Sequence, residues 1–345
     1  MSEFDLDALG WTPELAESLE PGLVPGRVIA AHRGAYDVAL ASGLVRTRLP
    51  GRMAHFENVD VAVGDWVGVG DGLVRAVLPR RSALIRSSAG RTSESQTLAA
   101  NIDVAFVVTS LGPDLEPRRL ERYLVTIWES GARPEIVLTK SDRMEDPSPL
   151  VAEVESVALG VPVWVVSSVT GSGVDEVRAR IAPGETAVLI GSSGVGKSTL
   201  VNRWIGHELM PTRETRVDDD EGMHTTTHRE LIELPGGGMV IDTPGIRELQ
   251  LWEAGADALE ETFGDVEELA SQCRFNDCAH DTEPGCAVRA ALADGSLTGE
   301  RYASWQKLQR ELKAIAMRTD ARLRKEERRK WNLLTRDARA RTRHR

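Results

Sequence analysis

The stretch Gly191-Ser192-Ser193-Gly194-Val195-Gly196-Lys197-Ser198 decides the fold. Its spacing is G-x-x-x-x-G-K-S; it follows the apolar run 187–190 and leads into Thr199-Leu200-Val201-Asn202. Strand, glycine-rich turn and helix start are what a phosphate loop needs. The glycines let the backbone bend so that successive N–H groups, including those of Ser192, Ser193 and Val195, face phosphate oxygens. The first turn of the next helix, with Thr199, adds unpaired N–H groups and the positive end of its dipole. Lys197 is expected to neutralise the β and γ phosphates, and Ser198 to place its hydroxyl on Mg²⁺. The stretch predicts a nucleotide site at the head of an α/β sheet.

Working outward, three further loops each follow an apolar run. Asp242-Thr243-Pro244-Gly245 follows 239–241; Asp242 can hold Mg²⁺ through water and the Gly245 N–H can meet a γ-phosphate. Thr139-Lys140-Ser141-Asp142 follows 136–138 and has the form T-K-x-D. There Asp142 can accept from N1–H and the 2-amino group of guanine, a donor pair that adenine lacks. A mismatched pocket carboxylate rejects the wrong base by roughly 10⁴-fold. Ser167-Ser168 follows 163–166 and is placed to meet guanine O6 through backbone. The nucleotide is therefore expected to be GTP, with release of GDP; a P-loop ATPase is the competing reading, and it requires ATP to compete for the site.

Alternating strands and helices from residue 101 onward, with helices at 117–129, 149–158 and 174–181, predict a doubly wound sheet. The order of its loops is unusual: the base loops at 139–142 and 167–169 precede the phosphate loop, so the chain reads as a permuted GTPase. Permutation is topologically cheap because domain termini lie near each other at the surface. It also makes the D-x-x-G switch feed directly into the C-terminal segment, so that hydrolysis could reposition that segment.

Before this domain, residues 1–20 read as a short polar arm with an amphipathic piece around Pro13–Leu19. Residues 21–79 alternate in short glycine-broken segments, with 60–63, 65–69 and 73–77 among them, predicting a small antiparallel barrel of OB type. His32, Arg33, Arg46, Arg48 and Arg52 could form an RNA-reading face on it; a purely structural barrel is the other reading. Residues 86–100 read as a polar connector. Past the switch comes Cys273-x4-Cys278-x-His280-x5-Cys286. Three thiolates and an imidazole suit one tetrahedral Zn²⁺, and a shell filled by protein is structural. Two helices follow, 301–317 and 318–332, with Trp305, Leu308, Leu312 and Ile315 on one face. The boundaries are thus 1–20 (arm), 21–85 (barrel), 86–262 (permuted GTPase domain) and 263–345 (zinc-binding helical domain with basic tail).

Composition narrows the partners. All three cysteines of the 345 residues fall inside the cluster, which excludes a disulfide framework and fits a reducing, cytoplasmic setting. The acidic start Met1-Ser2-Glu3-Phe4-Asp5 is unlike a signal peptide, and no 18-residue apolar run is present to span a membrane. The net charge of −11 argues against nucleic acid until its distribution is read. Residues 318–345 hold twelve Lys/Arg against four Asp/Glu, a local +8 that leaves −19 on the remainder. A basic tail on an acidic body suggests RNA or DNA contact at one end; a solvated helical tail is the alternative.

Together Ala99-Ala100-Asn101-Ile102-Asp103, T-K-S-D, S-S-V-T-G, G-S-S-G-V-G-K-S-T, Gly222-Met223-His224-Thr225-Thr226-Thr227, D-T-P-G-I and the cysteine cluster resemble the RsgA (YjeQ/YloQ) family of circularly permuted GTPases. The resemblance spans roughly residues 21–290. It implies action in maturation of the small ribosomal subunit, binding to the 30S subunit and its 16S rRNA as a monomer, hydrolysis stimulated by 30S, and release afterwards. Two departures stand out. Thr139 replaces a commoner asparagine and loses the amide that ties loops together, which suggests modest affinity. Met223 replaces a frequent arginine and leaves His224 and the threonines in place.

Hydrolysis is expected by in-line attack of water, with catalysis by positioning and charge neutralisation. Thr225 or Thr226 would complete the Mg²⁺ shell with Ser198 and Asp242. Ile246 follows the D-x-x-G where Ras-like enzymes carry a water-orienting glutamine, so intrinsic turnover should be slow. His224 is the candidate for the missing role once a partner orders the switch; packing of the switch loop is the other role open to it. The competing functional readings are a large-subunit assembly GTPase and an RNA-binding checkpoint module that uses GTP as a conformational clamp.

Overall fold

The structure, a computed structural model, describes residues 3–55, 59–87, 95–113, 115–207, 229–242 and 256–319. The chain divides into two compact units, Met1–Gln250 and Leu251–Arg345.

In the first unit a short helix α1 (Pro13–Ser18) is capped by the Thr12 hydroxyl, which accepts from the Leu15 N–H. Strands β1 (Val24–His32), β2 (Ala35–Leu40) and β3 (Gly43–Thr47) form an antiparallel meander. Helix α2 (Gly51–His55) leads to the hairpin β4 (Trp66–Gly70) and β5 (Leu73–Val77), whose β4 returns to pair with β1. The Val74 N–H donates to the Arg48 carbonyl at 3.1 Å, and the Thr47 hydroxyl to that of Gly72 at 2.8 Å, closing a β1-β2-β3-β5-β4 ring. Val28, Val38, Leu40, Val61, Val67, Val69 and Val74 fill it.

Residues 60–63, expected as a strand, do not form one: 60–62 have no regular structure and Val63 opens a turn with Gly64. Asp65 is wholly buried and its carboxylate accepts from the Ala62 N–H at 2.7 Å, which bends the chain there. Arg80 closes on both oxygens of that carboxylate at 2.7 Å.

The connector expected at 86–100 is also different. Its described residues, 86–87 and 95–100, belong to an antiparallel pair of β6 (Ala83–Ser87) and β7 (Ser95–Ala100). Leu98, Ala99 and Ala100 of β7 are buried, and its polar Thr97 bonds to Arg80 and Asp60.

The nucleotide-type sheet follows. β8 (Val104–Ser110), α3 (Pro117–Ser130), β9 (Arg133–Thr139), α4 (Ser148–Val157), β10 (Val163–Val165), α5 (Val174–Arg178), β11 (Thr186–Ile190), α6 (Lys197–Ile205), β12 (Glu230–Glu233) and β13 (Met239–Asp242) succeed one another. Their sheet order is β10-β9-β8-β11-β13-β12, parallel except for β12. Every β8 residue is buried, as a strand covered on both faces must be. Alternation sorts its side chains: Ala105 and Val107 pack with Leu120, Leu124 and Ile127 of α3, while Val104, Phe106 and Val108 pack with Leu200, Val201 and Trp204 of α6.

The barrel is joined edge to edge with this sheet. Ala30 of β1 pairs with Glu230 of β12, so β12 lies between β13 and the barrel. At the same junction Arg27 is 1 % exposed. Its guanidinium donates to the Leu9 carbonyl, to the Asn101 carbonyl at 3.3 Å and to the Thr186 hydroxyl at 2.7 Å. Burial pulls its pKa down to about 10, against the pull of Asp103, so it stays charged at neutral pH. The arm read as polar is therefore structural: Leu9 and Leu15 are buried, and Trp11 packs on Trp66 with ring centroids 4.9 Å apart. Asn101 adds a second tie, its side chain donating to the Gly64 carbonyl and accepting from the Arg81 N–H, both at 3.0 Å.

The second unit holds α7 (Ala256–Thr262), α8 (Gly264–Ser271), α9 (Ala287–Asp294) and α10 (Gly299–Thr319). Arg301 fastens α10 to α8 through Asp265 at 2.9 Å and lies over the Phe263 ring at 4.3 Å. Trp305 donates to Glu267 at 2.8 Å, and with Leu308 it is buried as the helical pattern predicts. Helix α10 covers the first predicted helix; 320–345, with most of the second, lies outside the described residues.

Candidate nucleotide site and metal centre

In the doubly wound sheet the loops after β9, β10, β11 and β13 leave from the same, carboxyl, edge, where such folds place ligands. The phosphate loop turns out of β11 at Gly191. A Cβ there would stand 2.1 Å from the Val108 carbonyl oxygen, so β8 excludes any side chain at that turn. Gly196, at φ 107°, opens α6. Lys197 Nζ donates to the Gly191 and Ser192 carbonyls, both at 2.7 Å, which folds the lysine over the loop. Ser198 and Thr199 lie in the first turn of α6.

Thr139, last residue of β9, is 2 % exposed, and its hydroxyl lies 2.5 Å from the Val195 carbonyl and 3.2 Å from that of Thr109. The base loop and the phosphate loop are thus tied by a hydroxyl, contrary to the expectation that threonine forfeits the tie. One hydroxyl proton serves two carbonyls, so Thr139 donates to one of them at a time. Thr139→Val keeps the shape and removes the donor. We expect it to weaken binding of a fluorescent GDP analogue about tenfold, the cost of leaving a buried carbonyl unpaired, with the thermal midpoint little changed.

Lys140 takes the left-handed conformation (φ 60°), which turns the loop sharply into Ser141–Arg143. Asp142 is exposed on that turn and accepts from the Ser167 hydroxyl at 2.5 Å. The same Ser167 oxygen accepts from the Val169 and Thr170 N–H groups at 3.2 Å, folding the second base loop around itself. Ser168 is half-buried beside it. Both base loops therefore meet through Ser167 and Asp142. Asp242 ends β13, the strand next to β11. His224, Thr225, Thr226 and Gly245 lie outside the described residues.

On the barrel the five candidates divide. His32 and Arg46 converge on Asp37 at 2.8 and 2.7 Å, and Arg46 holds the Asp37 carboxyl down at about 2. Arg33, Arg48 and Arg52 are exposed.

In the second unit Cys273, Cys278, His280 and Cys286 bring one ligand atom each within 4.8 Å of one another. Cys273 Sγ lies 3.8 Å from Cys286 Sγ, and His280 Nδ1 lies 3.5 and 3.4 Å from those sulfurs. Bonds of ~2.3 Å to sulfur and ~2.0–2.1 Å to nitrogen put tetrahedral ligand atoms roughly 3.5–3.8 Å apart, so the donor set fits Zn²⁺. Local structure builds it: Cys273 follows α8, His280 is left-handed at φ 58°, and Cys286 caps α9, accepting from the Arg289 N–H at 3.4 Å.

Two residues escaped the sequence reading. Arg119 of α3 donates to the Ser192 hydroxyl at 3.0 Å, and Arg27 lies under the base of β11. The run Pro117-Arg118-Arg119-Leu120-Glu121-Arg122 showed a basic helix start but no partner, and a lone arginine in a strand reads as exposed.

A phosphate loop and two base loops on one sheet edge, with the base loops first in the chain, define a circularly permuted GTPase. The RsgA GTPase family model matches residues 77–252. The small ribosomal subunit biogenesis GTPase RsgA of Streptomyces coelicolor is 46% identical over 94% of this chain and 92% of its own length. That of Opitutus terrae is 43% identical over 98% of each. The crystal structure of YjeQ from Thermotoga maritima matches 84% of this chain and 98% of its own, at 28% identity and TM-score 0.61. YloQ, a circularly permuted GTPase, matches 85% and 96% at 27% and 0.60. The chain belongs to the RsgA family.

Proposed function

We propose that this protein hydrolyses GTP during late maturation of the small ribosomal subunit, binding the 30S subunit and its 16S rRNA as a monomer and leaving after hydrolysis. The observation that carries the reading is the joint between the two base loops, Ser167 to Asp142, on the same sheet edge as the phosphate loop. The relatives' names favour the small subunit over the large one and over a checkpoint module whose hydrolysis is incidental. The cytoplasm is the setting such work requires. No helix among the described residues is long and apolar enough to cross a membrane.

In this reading residues 191–199 surround the phosphates, and Lys197 exchanges its two carbonyl partners for β and γ oxygens. Thr139, Lys140, Asp142, Ser167 and Ser168 hold the base. Mg²⁺, held by Ser198, Asp242 and Thr225 or Thr226, would supply charge neutralisation between the β and γ phosphates. Hydroxyl and carboxylate oxygens are the donors that ion prefers. His224 orients the attacking water in place of the side chain that Ile246 lacks. The 273–286 cluster holds one structural Zn²⁺. The ring of β1 to β5 is an OB-type barrel that, with the tail after residue 318, contacts rRNA phosphates.

Strand β12, which follows the switch stretch in sequence, pairs through Glu230 with barrel residue Ala30. Changes at the γ-phosphate therefore have a short route to the barrel.

Base selection tests the reading. ATP should fail to displace a bound fluorescent GDP analogue. Asp142→Asn, which puts a donor where guanine needs an acceptor, should lower GTP affinity at least about a hundredfold. It should also raise affinity for xanthosine triphosphate, whose 2-oxo group accepts the new N–H. Equal binding of ATP and GTP by the native chain would contradict it.

A further inference from the structure

Ser192 is held from two sides. Lys197 Nζ donates to its carbonyl at 2.7 Å, and Arg119 Nη1 donates to its hydroxyl at 3.0 Å. These two cations have different duties. In a phosphate loop the lysine must turn to the incoming β and γ oxygens, and its amine then leaves the carbonyls of Gly191 and Ser192. The hold on the hydroxyl does not depend on the lysine. Arg119 comes from the first turn of α3, which is packed against the sheet by Leu120, Leu124 and Ile127. The support is therefore anchored outside the loop.

The chemistry suits a support. A guanidinium stays charged at every physiological pH, and a hydrogen bond with one ionised partner is about twice as strong as a neutral one. Arg119 also pairs with Glu116, whose Oε2 lies 3.3 Å away; the Glu116 side chain is 61% exposed and that of Arg119 35%. A pair so wet contributes little by itself.

We propose that Arg119 is a positioning residue of the GTPase, which holds the phosphate loop open through the Ser192 hydroxyl while Lys197 passes to the nucleotide. The proposal rests on the reading of 191–198 as the phosphate site. It assigns the arginine no contact with the reacting atoms. Its removal should cost binding more than turnover, because it prepares the cradle before the phosphates arrive.

The experiment is a double-mutant cycle on the full chain, reading GTP affinity, kcat and KM for Arg119→Ala, Ser192→Ala and the pair. Each single change should weaken GTP binding about fivefold, the worth of one charge-assisted hydrogen bond at a half-exposed site. In Arg119→Ala kcat should stay within about twofold, so that the loss falls on affinity. The pair should be no worse than either alone, because both remove the same bond. Arg119→Lys should recover part of the loss, since one donor to a hydroxyl is all that is required. Ser192→Ala guards against a folding artefact, being a small change in a loop, and thermal midpoints check all variants.

An Arg119→Ala loss that persists undiminished in the Ser192→Ala background would mean that the arginine acts by long-range charge, and the proposal fails. No effect of Arg119→Ala on affinity overturns it as well. Lys197→Ala included in the series separates this failure from that of the underlying reading: unchanged GTP binding there would show that the loop is not the phosphate site.

Discussion

Lys197→Ala is expected to lower kcat/KM for GTP by at least about a hundredfold, the usual cost of removing one group that stabilises transition-state charge. The native lysine is folded over its own loop, with the Gly191 and Ser192 carbonyls as partners. Gly191 is buried and Ser192 half-buried, and the change removes one donor from a surface-reaching loop without touching the sheet core, so the alanine variant should fold. Its thermal midpoint is expected within a few degrees of the native one. The loss should fall on both kcat and KM, since the amine meets phosphate in the ground state and again as charge moves toward the β–γ bridge. Steady-state phosphate release and GDP-analogue titration read the two parts. A variant that retains native turnover would remove residues 191–198 from the chemistry.

The second large effect concerns the metal. Cys286→Ser, or prolonged treatment with a strong chelator, is expected to release the proposed zinc and unfold the described helices α8 and α9 that the cluster joins. The unit's described core is small, centred on Phe263, Val266, Val288, Ala291, Leu297, Trp305 and Leu308. The described part of the unit, residues 256–319, is in the size range in which one core supplies only ~3–5 kcal/mol. Zinc bound by such a cluster contributes an apparent ~10–16 kcal/mol. Cys286 also caps α9, and serine can keep that cap, so the effect of the change reads the metal and not the helix start. Amide exchange should rise throughout 264–294, while the nucleotide loops, all within the first unit, keep GDP-analogue affinity within about twofold. Zinc measured by atomic emission near one equivalent in the native chain, and lost in the variant, completes the test. A variant that keeps both metal and protection would contradict the cluster's structural role.

Much of the candidate site was legible because it is written in short, contiguous stretches. The phosphate loop is eight consecutive residues, each base loop four or fewer, and the cysteine cluster fourteen. Each follows an element whose hydrophobic run marks where the loop begins, so parallel strands bring the loops together automatically. What stayed hidden depends on partners distant in sequence. Alternation in 24–32 shows a strand but not that Ala30 lies beside Glu230, two hundred residues on. Serines and arginines in 86–100 read as a connector, because nothing local reveals that Thr97 meets Arg80 and Asp60. Arg27 looks like any strand cation until Leu9, Asn101 and Thr186 are folded around it. Thr139 was read against the amide it replaces, and only the fold shows its hydroxyl within reach of Val195. Long-range joints of this kind are set by the tertiary structure, and composition carries no trace of them.

The measurement that bears most directly on the proposed function is GTP turnover by the purified protein alone, with 30S subunits and with 50S subunits. Slow turnover alone, strongly raised by 30S and unmoved by 50S, is the predicted result, with His224→Ala abolishing the stimulated part. Stimulation by 50S, or by neither subunit, would contradict it.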